Sequence, residues 1–189
     1  MMMRLLIVGA GGHGRSVAEA ALASGAFTLS GFLDDHATHV WEFPVLGGTQ
    51  DVAAWRTAAD TAIVAVGNNV LRQQLQQQLM QAGFTLATVI HPRAVVAPSA
   101  DVGMGCAVMA GAIIGTEAKL GLGVIVNSGA VVDHHCVVED YGHLGVAAAM
   151  AGGTQLGTGA WMQAGSALGY GVKVPAGAVL PPGSTFKAE

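Results

Sequence analysis

From Ile90 to Leu180 every sixth residue is aliphatic or methionine, sixteen positions without a slip. The residue four places after each is small or compact, from Ala94 through Cys106 and Cys136 to Ser184. The residue just before that small one is glycine at ten turns: 105, 111, 123, 129, 153, 159, 165, 171, 177 and 183. A period of six fits neither an amphipathic helix nor a simple alternating strand. Self-similarity of this kind marks a solenoid, and hexapeptide repeats mark a parallel β-helix. One large apolar residue per hexad points inward, the small one fills a narrow core, and glycine takes the positive φ that turns the chain. Three hexads close a triangular coil. Residue n is therefore expected to lie on residue n + 18, each coil burying its face only against its neighbours.

Composition narrows the partners. Of 189 residues, 52% are hydrophobic and only 11% charged, too few charges to cover a free surface. Part of that surface is expected to be buried between subunits. The net charge of −4, with no basic tract, excludes a nucleic-acid partner. The apolar runs are too short or too broken by glycine to span a membrane. Met1–Arg4 leads directly into a strand, so no leader peptide is expected. Cys106 and Cys136 both fall at the inward small position, thirty residues apart. Thirty is not a multiple of eighteen, so they are predicted to be unpaired, reduced packing residues of a cytoplasmic protein.

The first part of the chain reads differently. Leu5–Val8 is a buried strand running into Gly9-Ala10-Gly11-Gly12-His13-Gly14, then a helix to about Ser24, closed by Gly25. Gly9, Gly11 and Gly14 match G-x-G-x-x-G in the strand–turn–helix setting that motif requires. The backbone N–H groups around Gly11, Gly12 and His13 suit a phosphate. Phe27–Leu33, the second strand, ends at Asp34-Asp35. Asp34 lies twenty residues past Gly14, where a nucleotide fold places an acid for a ribose or base. A helix is expected over Asp51–Ala59, a third strand over Thr61–Val66 and a second long helix over Val70–Ala82. Phe84–Ile90 enters the solenoid with no linker. The division is thus residues 1–86 as a small α/β, Rossmann-like nucleotide-binding domain with a parallel sheet, and 87–189 as the β-helix. A dehydrogenase is excluded by length, because the solenoid begins where a second nucleotide-binding half would start.

Several stretches together resemble the PglD/NeuD-type sugar acyltransferases: the glycine loop, Asp34-Asp35, Pro44-Val45-Leu46-Gly47, Ile90-His91-Pro92, and Asn127 through Cys136 with its Asp133-His134-His135 core. The resemblance covers nearly the whole chain. It implies a left-handed β-helix, a homotrimer, acetyl-CoA lying along the helix between subunits, and a nucleotide-linked amino sugar held between the α/β domain and a coil. The activity it implies is acetyl-CoA-dependent N-acetylation in surface-glycan biosynthesis. His134 matches the family's catalytic histidine and Asn127 a position that contacts the acceptor sugar. His143 matches a second histidine near the acetyl end of CoA. Gly152-Gly153 is expected to let the thioester arm approach the backbone, and Lys173 is among the few cations available to the CoA phosphates, with Lys119, Lys187 and Arg93.

Acetyl transfer needs a base for the acceptor proton, donors for the tetrahedral oxyanion, and reactants held together. Both cysteines face inward, so direct transfer is expected rather than an acyl-enzyme. Histidine is the natural base near neutrality. One departure matters: the family often carries an acid directly after the catalytic histidine, and here that residue is His135. Asp133 precedes His134, but neighbours on an extended strand tend to face opposite ways. Stacking by eighteen puts Glu117 beside His135 and Thr116 beside His134, which keeps His135 as a second candidate base. A metal site like that of the β-helix carbonic anhydrases is not expected, since His134 and His143 are nine residues apart, half a coil. O-acetylation of a sugar hydroxyl, as on sialic acid, and a non-catalytic nucleotide-sugar sensor remain as rivals.

Overall fold

The computed structural model describes residues 2–188. Its first part is a six-stranded sheet flanked by two helices. The elements are β1 (Met3–Val8), α1 (Gly12–Ser24), β2 (Phe27–Leu33), β3 (His39–Val40), β4 (Phe43–Gly47), β5 (Thr61–Val64), α2 (Asn69–Gln81) and β6 (Thr85–Leu86). The order across the sheet is β3-β4-β2-β1-β5-β6, and only the β3–β4 pair is antiparallel. Leu5, Leu6, Ile7 and Val8 of central β1 are fully buried, as a parallel strand covered on both faces requires. Helix α1 packs through Val17, Ala18, Ala20 and Ala21, whose small side chains bring it close to the sheet. It ends at Gly25 in the left-handed conformation, φ 68°, whose N–H returns to the Leu22 carbonyl.

From β7 (Val89–Ile90) to β23 (Thr185–Phe186) the chain is a series of two-residue strands forming three parallel sheets. Val108 pairs with Val126, Val126 with Leu144 and Leu144 with Met162, always eighteen residues on. The fold is therefore the α/β domain followed by a parallel β-helix. The inward columns, among them Val108, Val126, Leu144 and Met162 with Cys106, Ala130, Cys136 and Ala148, form one continuous buried core. Both cysteines are free, and burial pushes the Cys106 thiol up to about 12. All ten turn glycines take positive φ. At four other turns in the same slot, Glu117, His135, Tyr141 and Ala147 adopt it too, at φ 55–60°.

Three details differ from expectation. In place of a helix over 51–59 there is one 3₁₀ turn, Val52–Trp55. The Asp51 carboxylate accepts the Gly48 N–H at 2.9 Å and caps nothing downstream. Arg56 is drawn off to the Gly83 carbonyl and the Phe84 ring. The third strand stops at Val64, and residues 65–67 wall a cleft. The stretch after Asp35, where the sequence suggests no element, holds the short strands β3 and β4.

The two parts are joined by a ladder that no local pattern announced. Helix α2 lies along one edge of the β-helix and donates to a column of corner carbonyls spaced by eighteen. Gln76 Nε2 reaches Gly105 O (3.1 Å), Arg72 Nε reaches Gly123 O (2.8 Å), Arg72 Nη2 reaches Tyr141 O (2.7 Å), and Asn69 Nδ2 reaches Gly159 O (2.8 Å). Seven residues of helix advance about 10 Å, while three coil steps span about 14 Å, and side-chain reach covers the difference. Arg72 is fully buried and also holds the Val66 carbonyl at 3.1 Å. On the other side of the sheet, Val89, Ala107 and Met109 of the first coils join the core beneath α1.

Hydrogen bonds to a charged group are worth about 1.5–3 kcal/mol each, and carbonyls left buried without donors add to the cost. Arg72→Met is expected to destabilise docking by several kcal/mol, with the α/β part melting before the β-helix in a calorimetric scan. A single transition at the wild-type temperature would show that the apolar contacts under α1 suffice.

Candidate functional site

Three places gather the residues singled out by sequence. The first is a cleft of about 340 Å³ at the end of β1 and the start of α1. Gly11, Gly12, His13, Asp34 and Asp35 line it, with Gly9, Thr49 and residues 65–67. Gly11 is the N-cap of α1 and offers no side-chain acceptor, so the first N–H groups of the helix are unclaimed. Side chains added at Gly11 or Gly12 would meet nothing, since both face open space. Gly14 does not line the cleft. A Cβ there would run into the Gly9 carbonyl, so its role is to let α1 pack against the loop.

The two acids also differ. Both oxygens of Asp34 are engaged by backbone N–H groups, Ala10 at 2.7 Å on one, Ala37 at 2.8 Å and His36 at 2.9 Å on the other. Partial burial pushes this carboxyl up, but the three donors together outweigh it and hold it below its ordinary value. Asp34 thus pins the glycine loop to the end of β2. Asp35 accepts from Thr49 N–H and Oγ1, each at 2.8 Å, and forms the rim.

The second place is a pocket of about 470 Å³ where α2 meets the β-helix, with Asn68, Asn69, Val70, His143, Trp161 and Val179 among its walls. It shares Gly67 with the first cleft. His143, matched by resemblance to a histidine near the acetyl end of CoA, is 7% exposed, covered by the start of α2 and stacked on Trp161, eighteen residues on, with ring centroids 5.5 Å apart. Asn69 Oδ1, His143 Nδ1 and Trp161 Nε1 are buried here without a partner, and His13 Nε2 is in the same condition in the adjoining cleft. Buried polar atoms are rarely left so, and four gathered along one track mark a place for a polar ligand. Asn69, Trp161 and Arg72 escaped the sequence reading. The spacing of eighteen from His143 could have pointed to Trp161.

The third place is an exposed corner of the β-helix. His134 and His135 meet edge to face, with Nδ1 to Nδ1 at 3.0 Å. His135 Nε2 lies 3.1 Å from Glu117 Oε2, the pairing that the spacing of eighteen predicts. Asp133 Oδ1 accepts the His134 backbone N–H at 2.7 Å, and its Oδ2 stands 3.8 Å from His134 Nε2. Thr116 meets the corner through its backbone, its carbonyl accepting the His135 N–H. Gly152 lies against the His134 ring, where any Cβ would collide, while nothing crowds Gly153. Asn127 Oδ1 accepts the Ser128 N–H of its own turn at 2.8 Å. Lys173 is exposed on strand Lys173–Val174, away from the walls of both pockets. Among the described residues no three His, Cys, Asp or Glu side chains converge as metal ligands, and no helix is long and apolar enough to cross a membrane.

Electrostatics separate the junction from the corner. Burial, followed by the Arg72 charge, pushes His13 down to about 4. Burial, then Arg72, then His13 push His143 down to about 3. Both rings are neutral in the folded protein near neutral pH, whereas the unfolded chain protonates them below about 6.5. The unfolded state thus binds more protons between those values, and stability falls as pH falls. The contribution is complete above about 6.5 and erodes toward about 3. Melting temperature is expected to drop through that window and to drop less steeply in His143→Gln. An equal slope in the variant would place the pH dependence elsewhere.

Residues 4–79 match the family model described as the PglD N-terminal domain. The chain is 33% identical over 122 residues to the UDP-N-acetylbacillosamine N-acetyltransferase of Bacillus subtilis, covering 58% of this chain and 52% of that protein, about half its length. Among solved structures, a histidine-to-alanine variant of GDP-perosamine N-acetyltransferase from Caulobacter crescentus, in complex with CoA and GDP-perosamine, superposes with a TM-score of 0.87. The identity is 35%, over 100% of this chain and 96% of that one. The acetyltransferase domain of PglB from Neisseria gonorrhoeae, in complex with acetyl coenzyme A, gives 0.78 at 38% identity, over 100% and 97% of the two chains. With the glycine-loop domain, the coil register and two solved structures that align over its whole length in agreement, the chain belongs to the PglD-type family of hexapeptide-repeat acetyltransferases.

Proposed function

We propose that this protein transfers the acetyl group of acetyl-CoA to the amine of a sugar carried on a nucleoside diphosphate. The observation that carries this reading is the continuous track from the α1 N-terminus to the junction pocket, meeting at Gly67 and studded with unpartnered polar atoms. A diphosphate suits the unclaimed N–H groups at the start of α1. A sugar attached to it then extends past His13 into the pocket beside His143 and Trp161. The relatives solved with CoA and GDP-perosamine support the same pairing of ligands.

In this reading His134 is the general base. The amine attacks the thioester carbonyl carbon, a C–N bond forms, and the C–S bond breaks. His134 takes the proton released by the amine and returns it to the departing CoA thiolate. His134 and the junction pocket are half a coil apart, so the His134 that serves one pocket comes from a second copy in a homotrimer. Val95 and Ile113, 62% and 43% exposed on adjacent strands of one sheet, offer an apolar face for that assembly. Acetyl-CoA lies along this subunit boundary. The setting proposed is surface-glycan biosynthesis in the cytoplasm.

The direct test offers acetyl-CoA with UDP- or GDP-linked amino sugars and follows release of free thiol. Nucleotide binding with no thiol release across that panel would leave a sugar-nucleotide sensor instead. His134→Ala is expected to lower kcat/KM by about 10²-fold or more with both substrates still bound. Gly11→Val should abolish sugar-nucleotide binding and spare acetyl-CoA. Assembled together in equal amounts, these two inactive variants should regain about a quarter of wild-type activity, the chance that an intact cleft faces an intact His134. No recovery would put cleft and base on the same chain.

A further inference from the structure

We propose that Glu117 and His135 are positioning residues that fix the ring tautomer of His134 and receive the positive charge it acquires. This rests on the assignment of His134 as base and extends it to how that base is held ready. A carboxylate only accepts hydrogen bonds, so Glu117 Oε2, 3.1 Å away, requires the hydrogen of His135 to sit on Nε2. A neutral imidazole carries one N–H, so His135 Nδ1 is then a bare lone pair. The 3.0 Å contact between the two Nδ1 atoms therefore takes its hydrogen from His134. With its own hydrogen on Nδ1, His134 presents a lone pair at Nε2. Among the described residues the polar group recorded nearest that atom is Asp133 Oδ2 at 3.8 Å, too far for a hydrogen bond, and Gly152, having no Cβ, leaves room beside the ring. The base is left open in the orientation the reaction needs.

The order matches a Ser-His-Asp triad in logic, with a second imidazole inserted between base and carboxylate. When His134 Nε2 takes the acceptor proton, its Nδ1 hydrogen can cross to His135 Nδ1. The charge then rests on His135, in contact with the Glu117 carboxylate. The reverse shift restores His134 as an acid for the thiolate. One proton enters and one leaves, and no other reactant is required.

The backbone gives an independent reason to assign a function to this pair. Glu117 and His135 each hold φ 56° at the turn slot that ten other corners fill with glycine. Residues with a Cβ are strained there, and such strain persists mainly where function needs the side chain. Tyr141 and Ala147 share the conformation without joining an ionisable pair, so strain alone is no marker. Here it coincides with two stacked residues whose side chains meet. Ser99, a further eighteen residues back, accepts the Glu117 N–H through its Oγ at 3.1 Å and steadies the column.

The test begins with imidazole ¹⁵N spectra of the wild-type protein without substrate. His134 is expected as the Nδ1–H tautomer, and an Nε2–H tautomer would overturn the relay. Glu117→Gly suits the backbone, since glycine favours that φ, so it should melt no lower than wild type. In it the tautomer preference of His134 should be lost and kcat/KM fall about 10–100-fold, with KM for acetyl-CoA unchanged. His135→Asp places a carboxylate directly beside His134, and in that background Glu117→Gly should cost nothing further. Wild-type kcat/KM in Glu117→Gly, with His134→Ala still slow, would overturn the relay and leave the acetyltransferase reading standing. Full activity in His134→Ala would overturn the base assignment itself.

Discussion

The pairing of residue n with residue n + 18 turns a linear repeat into columns of identical role. Inward columns become the core, a run of aliphatic side chains from Val108 to Met162 and beyond. Turn columns become a file of left-handed residues. Turn and outward columns both place side chains far apart in sequence at strand-pair distance, and this is where the candidate site residues lie. Glu117 meets His135, and His143 lies on Trp161, by the same arithmetic. No coil could hold its register alone, since its strands hydrogen-bond to the coils above and below. The functional pairs therefore share in the stability of the whole stack.

The same register presents a file of carbonyl oxygens, and α2 reads it. A helix carrying donors at 69, 72 and 76 presents them on one face, and the carbonyls of 159, 141, 123 and 105 meet them in reverse order. This docking explains how a buried arginine is tolerated. Burial pushes Arg72 down to about 10, yet its donors go to carbonyl dipoles and it stays charged at neutral pH. That charge helps keep His13 and His143 neutral. Neutral rings still accept and donate hydrogen bonds, so the junction can grip a ligand without adding a charge that must be desolvated.

Much of this was legible in the sequence because it is periodic or local. The hexad fixes the core, the glycines fix the turns, and the glycine loop with β2 follows from short-range pattern. The Glu117–His135 pair could be reached by counting. What escaped depends on another element's surface. Nothing in the Gln-rich run of α2 says that Arg72 and Gln76 face carbonyls thirty to seventy residues away. The burial of His143 by the start of α2 and the Trp161 ring is likewise invisible within its own coil. Gly14 illustrates the opposite case: it fits a motif position, but the structure uses it to pack the helix against the loop.

The junction and the exposed corner ask opposite things of histidine. At the junction, rings are buried, stacked and held neutral, which suits binding. At the corner, His134 and His135 are about half exposed and linked to a carboxylate, which suits moving a proton. One stretch of coil could not serve both ends, because the covering helix that creates the pocket would bury the proposed base and close it to substrate. Separation by half a coil resolves that conflict within the chain and creates a need outside it. In the proposed reaction, a sugar held at the junction finds its base on another copy. On this view the proposed trimer is part of the active site, and the scarcity of surface charge follows from the faces such an assembly must bury.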